Sequence, residues 1–452
     1  MNDWQTVTLA DLGPITTGKT PPSGTDGYFG GQIPFVTPSD MNGQRYIDVT
    51  GRSLTNEGLK AVSRRMLPPG SILVSCIGSD MGKTHIARHG CYTNQQINTI
   101  EVVSPNANPL FVYYNLSARK DELQRLASGS SAQPILNKSN FSRIAIALPS
   151  LRDQDAIANL LGSLDDKIEL NRRINETLEA MAQAIFRDWF VNFGPTRRKL
   201  EGAADPLTIM GGLVQDAQRA QALADLFPDV LMDDGLPEGW RETSLGAVAK
   251  AIGGIVQTGP FGSQLHQSDY VSAGLPVVMP ANLTYSGFRQ GNFSYVSPET
   301  TERLNKHRLK TGDIIYGRRG DIGRKALIGK YNEGWLCGTG CLKISFPAKP
   351  IPAEYLFYSL DHQNTVDWIR ARAIGATMPN LNTSTLADMP LLYPSDASLA
   401  AFEQMVQPTL ALREENDQQN GTLSATRDLL LPKLISGEIR LSEAEDLMEA
   451  AQ

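Results

Sequence analysis

With 452 residues, 41% of them hydrophobic and 20% charged, the chain has material for two or three domains with real cores. No apolar run approaches the length of a membrane span, and residues 1–12 carry neither a basic segment nor an apolar signal region, so neither insertion nor export is indicated. Four cysteines and five histidines without metal-ligand spacing point to a reducing cytoplasm, buried thiols and no metal site. The net charge of −6 divides into +3 over residues 1–150, −7 over 151–239, +4 over 240–396 and −6 from 397 onward. Two mildly basic stretches thus alternate with two acidic ones, which suits nucleic acid on the former and protein partners on the latter.

In chain order, residues 1–149 read as short strands broken by Gly, Pro, Asn and Ser. The strand candidates are 71–76, 97–103 and 143–148, with a helix over 109–127 that Asn108 caps. Gly13-Pro-Ile-Thr-Thr-Gly18-Lys19-Thr20 matches the P-loop pattern, but Pro21-Pro22 follows where a phosphate-binding helix would have to begin. Gly78-Ser79-Asp-Met-Gly82-Lys83-Thr84 is one residue short of the same pattern. Asn108-Pro109-Leu110-Phe111 has the wrong third residue for the adenine methyltransferase motif, and no Gly-rich cofactor loop precedes it. No catalytic constellation and no metal cluster stands out.

Residues 150–194 are predicted to form one long helix, closed by Gly194-Pro195. Ile157, Leu161, Leu164, Ile168, Leu178, Ala182, Ile185 and Trp189 recur at steps of four and three, the narrow seam of a coiled coil. Asn171 and Asn175 interrupt that seam. A rod of roughly 60 Å with one apolar seam needs a partner. A connector over 195–239 follows, with a short surface helix expected over 213–227.

The region 240–394 echoes the first. Trp4…Leu9 returns as Trp240…Leu245, Gly70-Ser-Ile-Leu-Val74 as Gly312-Asp-Ile-Ile-Tyr316, and 133–137 as 378–382. The partner helix is 395–437, offset by 245, in which both seam asparagines return as Asn416 and Asn420. Its seam is weaker, with Thr409, Arg413 and Arg427 at positions that are apolar in the first. The pair is read as an antiparallel coiled coil with Asn171 facing Asn420 and Asn175 facing Asn416, buried polar groups that fix register. A tail, 438–452, completes the chain. The fold class is α+β: two globular α/β modules in pseudo-two-fold repeat, joined by two long antiparallel helices.

Gly317-Arg318-Arg319-Gly320-Asp321-Ile322-Gly323-Arg324-Lys325 places four cations in nine residues after a strand, a loop suited to DNA. The corresponding stretch of the first module has Cys76-Ile77 in place of Arg318-Arg319.

This layout resembles the specificity subunit of type I restriction–modification enzymes. The resemblance rests on Gly18-Lys-Thr-Pro21…Tyr28-Phe-Gly-Gly-Gln-Ile-Pro-Phe35, Gly312 to Gly323, Ile185-Phe-Arg-Asp-Trp-Phe190, Phe227-Pro-Asp…Leu236-Pro-Glu-Gly-Trp240 and Leu431-Pro-Lys-Leu-Ile-Ser-Gly-Glu-Ile439. It implies a non-catalytic cytoplasmic subunit with two target-recognition domains, each reading half of an asymmetric bipartite site on double-stranded DNA. The helices would set half-site spacing and dock two modification (methyltransferase) subunits. No cofactor is expected on this chain; S-adenosylmethionine, ATP and magnesium would belong to the modification and restriction subunits. Candidate DNA contacts are Lys19, Ser79, Lys83, His85 and Arg88 in the first module, and Arg318, Arg319, Arg324 and Lys325 in the second. The competing reading is a self-contained DNA adenine methyltransferase or nuclease with diverged motifs.

Overall fold

The computed structural model describes residues 4–450 apart from 23–26, 128–134, 290, 292, 348–349 and 373–379, with side chains up to 446. The echo between 133–137 and 378–382 therefore falls partly outside the described residues. In the first module, residues Gln5–Thr8 pair antiparallel with Ala145–Leu148, bringing the two ends of the module together. Arg241–Ser244 and Pro390–Tyr393 do the same in the second. The strands used below are β1 (Ile15–Thr17), β2 (Tyr46–Ile47), β3 (Ile72–Ser75), β4 (Thr84–Ala87) and β5 (Ile97–Ile100) in the first module. Those of the second are β6 (Ile255–Thr258), β7 (Ile314–Gly317), β8 (Lys325–Leu327) and β9 (Cys341–Ser345). One sheet runs β1-β5-β3-β4-β2 and the other β6-β9-β7-β8, so the two modules share a four-strand order. A second sheet accompanies each, of three strands in the first module and four in the second, and both faces of β3 and β7 are buried, which is why these strands read as unbroken apolar runs.

The helix predicted for 109–127 is split in two, and so is its counterpart in the second module. Asn108 caps Pro109–Ser117 by accepting from the Leu110 and Phe111 amides at 2.8 and 3.0 Å, and Lys120–Ala127 follows as a separate helix. The second module has Ala353–Ser359 and Gln363–Arg372. The first piece of each pair is almost wholly buried, whereas the second turns a polar face to water. One straight helix could not satisfy both environments.

The two long helices are α1, Leu151–Phe186, and α2, Asp396–Ser436. α2 continues through Pro408, Gly421 and Pro432, each of which weakens a free helix, so its persistence rests on packing. The chain divides into two units that ignore chain order: Met1–Asn171 with Gln419–Gln452, and Arg172–Gln418. In the first unit, Ile157, Ala158 and Leu161 of α1 share a core with Leu430 and Leu434 of α2 and with Phe111, Tyr114 and Leu116 of the module. In the second, Ala182, Ile185, Phe186 and Trp189 share a core with Leu399, Phe402 and Val406 and with Tyr355 and Tyr358. In both, residue numbers rise on α1 as they fall on α2, so the helices are antiparallel. Asn171 donates to Asn420 at 3.0 Å and to Gln419 at 2.7 Å within the first unit. Asn416 donates to Asn175 at 2.8 Å within the second.

The arginines that weaken the second seam are not idle there. Arg427 of α2 pairs with Asp165 of α1 at 2.7 Å, and Tyr114 of the first module donates to the same carboxylate at 2.6 Å. In the other unit Arg413 pairs with Glu179, and Tyr358 of the second module donates to it at 3.2 Å. Burial first, and then the adjoining carboxylate, hold both phenols well above their ordinary range, so each remains a donor. Each module is thus held to the helix pair by a tyrosine as well as by apolar contact.

Two expectations about the connector are corrected. α1 passes into a π-helical turn, Arg187–Val191, and Gly194-Pro195 opens a new helix, Gly194–Leu200, rather than closing the old one. Proline suits a first turn because its missing N–H would have no partner there. The connector helix is also shorter than the expected 213–227: it spans Ala217–Ala224, with Ala217, Gln218, Arg219, Gln221 and Ala222 exposed on the surface and one face buried. Its Ala220, Leu223 and Ala224 are buried with Phe227, Trp189 and Trp240, where Trp189 and Phe227 meet edge to face at 5.0 Å. Alanines leave room for these rings, and their small size disguised an apolar face.

Asn416→Leu strands the Asn175 carbonyl in the seam and should cost about 1–3 kcal/mol. An unchanged denaturant midpoint would show that the bond contributes nothing. Burial, helped by Lys83, pushes His85 down to about 4, and burial with Lys306 and Lys343 does the same to His307. The unfolded chain binds these protons near pH 6.5, so the folded state should lose stability as pH falls from about 6.5 to about 4. His85→Gln with His307→Gln should flatten that decline in denaturation curves, and an identical pH profile would contradict the assignment.

Candidate nucleic-acid interface

In both modules one edge of the sheet gathers three chain segments. In the first, Gly18 leaves β1 donating to Ile97 O at 3.1 Å, Cys76 leaves β3 donating to Gln96 O at 2.8 Å, and residues 93–96 lead into β5 between them. In the second, Gly259 leaves β6 donating to Cys341 O at 2.9 Å, and Arg318 leaves β7 donating to Gly340 O at 2.9 Å. Gly18 and Gly259 are required by this crossing: a Cβ would lie 2.0 Å from Asn94 O in one and 2.1 Å from Gly338 O in the other. The hairpin leaving this edge is tied to an equivalent later segment in both. Ile77 bridges Ile135, and Arg319 bridges Asn380. The sequence pairing of Cys76-Ile77 with Arg318-Arg319 is therefore a pairing in space.

This edge brings Lys19, Ser79 and Lys83 together as loop residues of the first module. Lys19 and Ser79 are exposed, and Lys83 pairs with Asp80 at 2.8 Å. Lys120, which carries no motif in the sequence, packs against Gly82 in the same loop. His85 and Arg88 do not belong here. His85 lies inside β4, 6% exposed, where an imidazole held neutral by burial cannot reach a phosphate. Arg88 follows the far end of β4, beside Asp48 and stacked 4.6 Å over the Tyr46 ring.

In the second module, the loop between β7 and β8 presents Arg318, Arg319, Asp321 and Arg324. Arg319 is exposed, and Arg318 donates its Nε to Asn380 at 3.2 Å. Among the described residues neither arginine has a carboxylate partner, and burial together with Arg319 lowers the Arg318 guanidinium from its ordinary value. Two adjacent cations left uncompensated favour an anion. Arg324 pairs with Asp321 at 2.9 Å, and Tyr285, 49% exposed, donates its hydroxyl to Asp321 at 2.9 Å. The charge of Arg370, exposed on the neighbouring helix, acts on both Tyr285 and Asp321. Tyr285 and Arg370 lie in stretches with no recognisable motif.

Lys325 is a correction. Its side chain is 0% exposed, bonded to Asp361 at 2.5 Å and to Tyr285 O at 2.8 Å, with its ammonium 4.8 Å from the centre of the Phe357 ring. Burial lowers its affinity for the proton while Asp361 opposes that loss. As the first residue of β8 it points into the module, so it braces the loop from beneath. It does not face a ligand.

The four cysteines are buried and unpaired. Among the described residues no group of three or more His, Cys, Asp or Glu could hold a metal ion, and no helix is long and apolar enough to cross a membrane. After Gly18 no helix begins among the described residues of the P-loop-like stretch, so the phosphate cradle is missing.

The family model described as "Type I restriction modification DNA specificity domain" matches residues 1–180 and 237–399. The chain is 26% identical over 452 residues to the type I restriction enzyme MjaIX specificity subunit of Methanocaldococcus jannaschii, covering 98% of this chain and 94% of the relative. It is 23% identical over 477 residues to the HindI specificity subunit of Haemophilus influenzae, covering 97% and 100%. Its fold is similar to that of the type I restriction–modification S subunit from M. genitalium, with a TM-score of 0.56, 16% identity and 96% of each chain covered. The chain belongs to the type I restriction–modification DNA specificity family and is a non-catalytic specificity subunit of such a system.

Proposed function

We propose that each module reads one half of an asymmetric, bipartite site on double-stranded DNA through the sheet edge described above. The observation that carries this reading is one edge built twice with different side chains. The same crossing and hairpin bear Lys19, Ser79 and Lys83 in one module and Arg318, Arg319 and Arg324 in the other. A repeated frame with unlike edges suits two unlike half-sites. Lysines and arginines would hold phosphates, while Ser79, Asp321 and the loop amides would meet base edges. α1 and α2 would set the half-site spacing, with the asparagine pairs fixing their register, and would dock two modification subunits. Those subunits would bring S-adenosylmethionine, and a restriction subunit would bring ATP and magnesium, in the cytoplasm where the DNA lies. The domain limits that follow are 1–149 and 240–394 for recognition, 150–194 and 395–437 for spacing, 195–239 as connector and 438–452 as tail.

Arg318→Ala with Arg319→Ala should weaken DNA binding by the assembled complex and flatten its salt dependence, by roughly 0.9 in slope for each phosphate no longer neutralised. Unaltered affinity at several salt concentrations would refute the edge. Spacing is tested separately by inserting seven residues after Asn171 and seven after Gln418, which preserves the heptad phase. The added helix is roughly 10 Å, close to three base pairs. Methylated adenines mapped in cells carrying this variant should show half-sites of unchanged sequence further apart. An unaltered gap would show that the helices do not set it.

A further inference from the structure

Among the described residues, the reading edge of the second module holds a phenylalanine in water. Phe261 is 57% exposed. It sits two residues beyond Gly259, where the first module has Thr20 after Gly18, and Thr20 is a half-buried hydroxyl bonded to Gln95 at 2.5 Å. Nothing about the Phe261 loop suggests a ring that has merely failed to find a core. Its amide donates to Gln264 Oε1 at 3.2 Å, and its carbonyl accepts from the Gln264 and Leu265 amides at 2.8 and 3.1 Å. Arg303 clamps Gln264 O at 2.7 Å, and Leu265 is buried among Val277, Val296, Leu304 and Leu336. On the other side, Thr339 donates to Pro260 O at 2.9 Å. The backbone is pinned at both ends and the ring is directed outward.

The cations leave the same edge. Thr339 is followed by Gly340, whose carbonyl accepts from Arg318 and whose Cα faces the Arg319 side chain. β6 and β7 flank β9, so the segments leaving them are two strand spacings apart, about 10 Å. An aromatic ring on the same DNA-reading edge as arginines without carboxylate partners has a defined use. The cations take phosphates, whereas the ring can only gain by leaving water against the apolar surface of a base.

We propose that Phe261 is an uncharged specificity contact of the second module, meeting the apolar surface of a base in its half-site, either a stacked face or a thymine methyl. The proposal rests on the reading of this edge as the DNA face. Thr20 offers no equivalent ring, so the effect is confined to one half-site.

The test uses the complex assembled with its modification subunits and DNA carrying the mapped site. Phe261→Ala should lower affinity roughly 5- to 100-fold, the range for removing one aromatic ring from a base. The slope of affinity against salt should not change, and Phe261→Leu should restore part of the loss. Placing 2-aminopurine along the second half-site separates the two sources: a rise in fluorescence on binding that Phe261→Ala abolishes identifies insertion against the stack. Loss of affinity on replacing one thymine by uracil, absent in Phe261→Ala, identifies the methyl. Unchanged affinity in Phe261→Ala while the Arg318→Ala, Arg319→Ala double variant binds weakly overturns the role of the ring and leaves the edge standing. Unchanged affinity in both overturns the edge and the ring together. A Phe261→Ala loss that comes with a flatter salt slope would place its action on the arginines and also overturns the proposal.

Discussion

The acid–arginine pairs between α1 and α2 are the constraint on which the remaining packing depends. Asp165 with Arg427 in one unit and Glu179 with Arg413 in the other always put the carboxylate on α1 and the guanidinium on α2. Charges of this kind are costly to bury and are tolerated only when paired and further hydrogen-bonded. The further bond is supplied each time by a module tyrosine, Tyr114 or Tyr358. The same groups therefore choose the helix partner, set the register beside the asparagines and seat the module. An apolar seam alone would have offered many neighbouring registers of similar energy, and the polar groups narrow these to one.

A recognition protein needs rigid edges more than it needs a large site. Lys325 illustrates how this chain obtains one. Buried beneath its own loop, it ties β8 to Asp361 and to the Tyr285 carbonyl, so that two loops of this sheet edge share a single brace. Arg318, Arg319 and Arg324 emerge from the loop that this brace supports, so on the proposed reading their platform is fixed before DNA arrives. The cost of ordering long cationic side chains is thereby reduced.

The long helices and their asparagines were legible because a heptad seam is a property of spacing alone, and a constant offset of 245 turned one helix into two. Element order in the modules was legible for the same reason, through Gly70 to Val74 and its echo. What escaped was everything decided by direction. Lys325 and His85 look like surface cations in the sequence, and only the pairing of β8 and β4 shows that they face inward. Arg88 is three residues from His85, yet it leaves by the opposite end of the strand. The connector helix hid its buried face in alanines, and the 109–127 helix carried no signal for a break. Phe261 sits between Pro260 and Gly262 in no motif, and its meaning comes from Thr339 and Gly340, far along the chain.

The two units divide the chain in a nested way, and this bears on how the protein is made. The first unit contains residues 419–452, which leave the ribosome only after all of residues 172–418. Module one, although synthesised first, must wait through the whole synthesis of the second unit for Leu430, Leu434 and Arg427 to reach it. The second unit has no such delay, since its sequence is continuous. Synthesis order and completion order are therefore reversed: the first module is the last to be finished. Until then the core around Ile157 and Leu161 lacks the side of it that Leu430 and Leu434 supply, leaving apolar surface of the kind that exposes a nascent chain to aggregation.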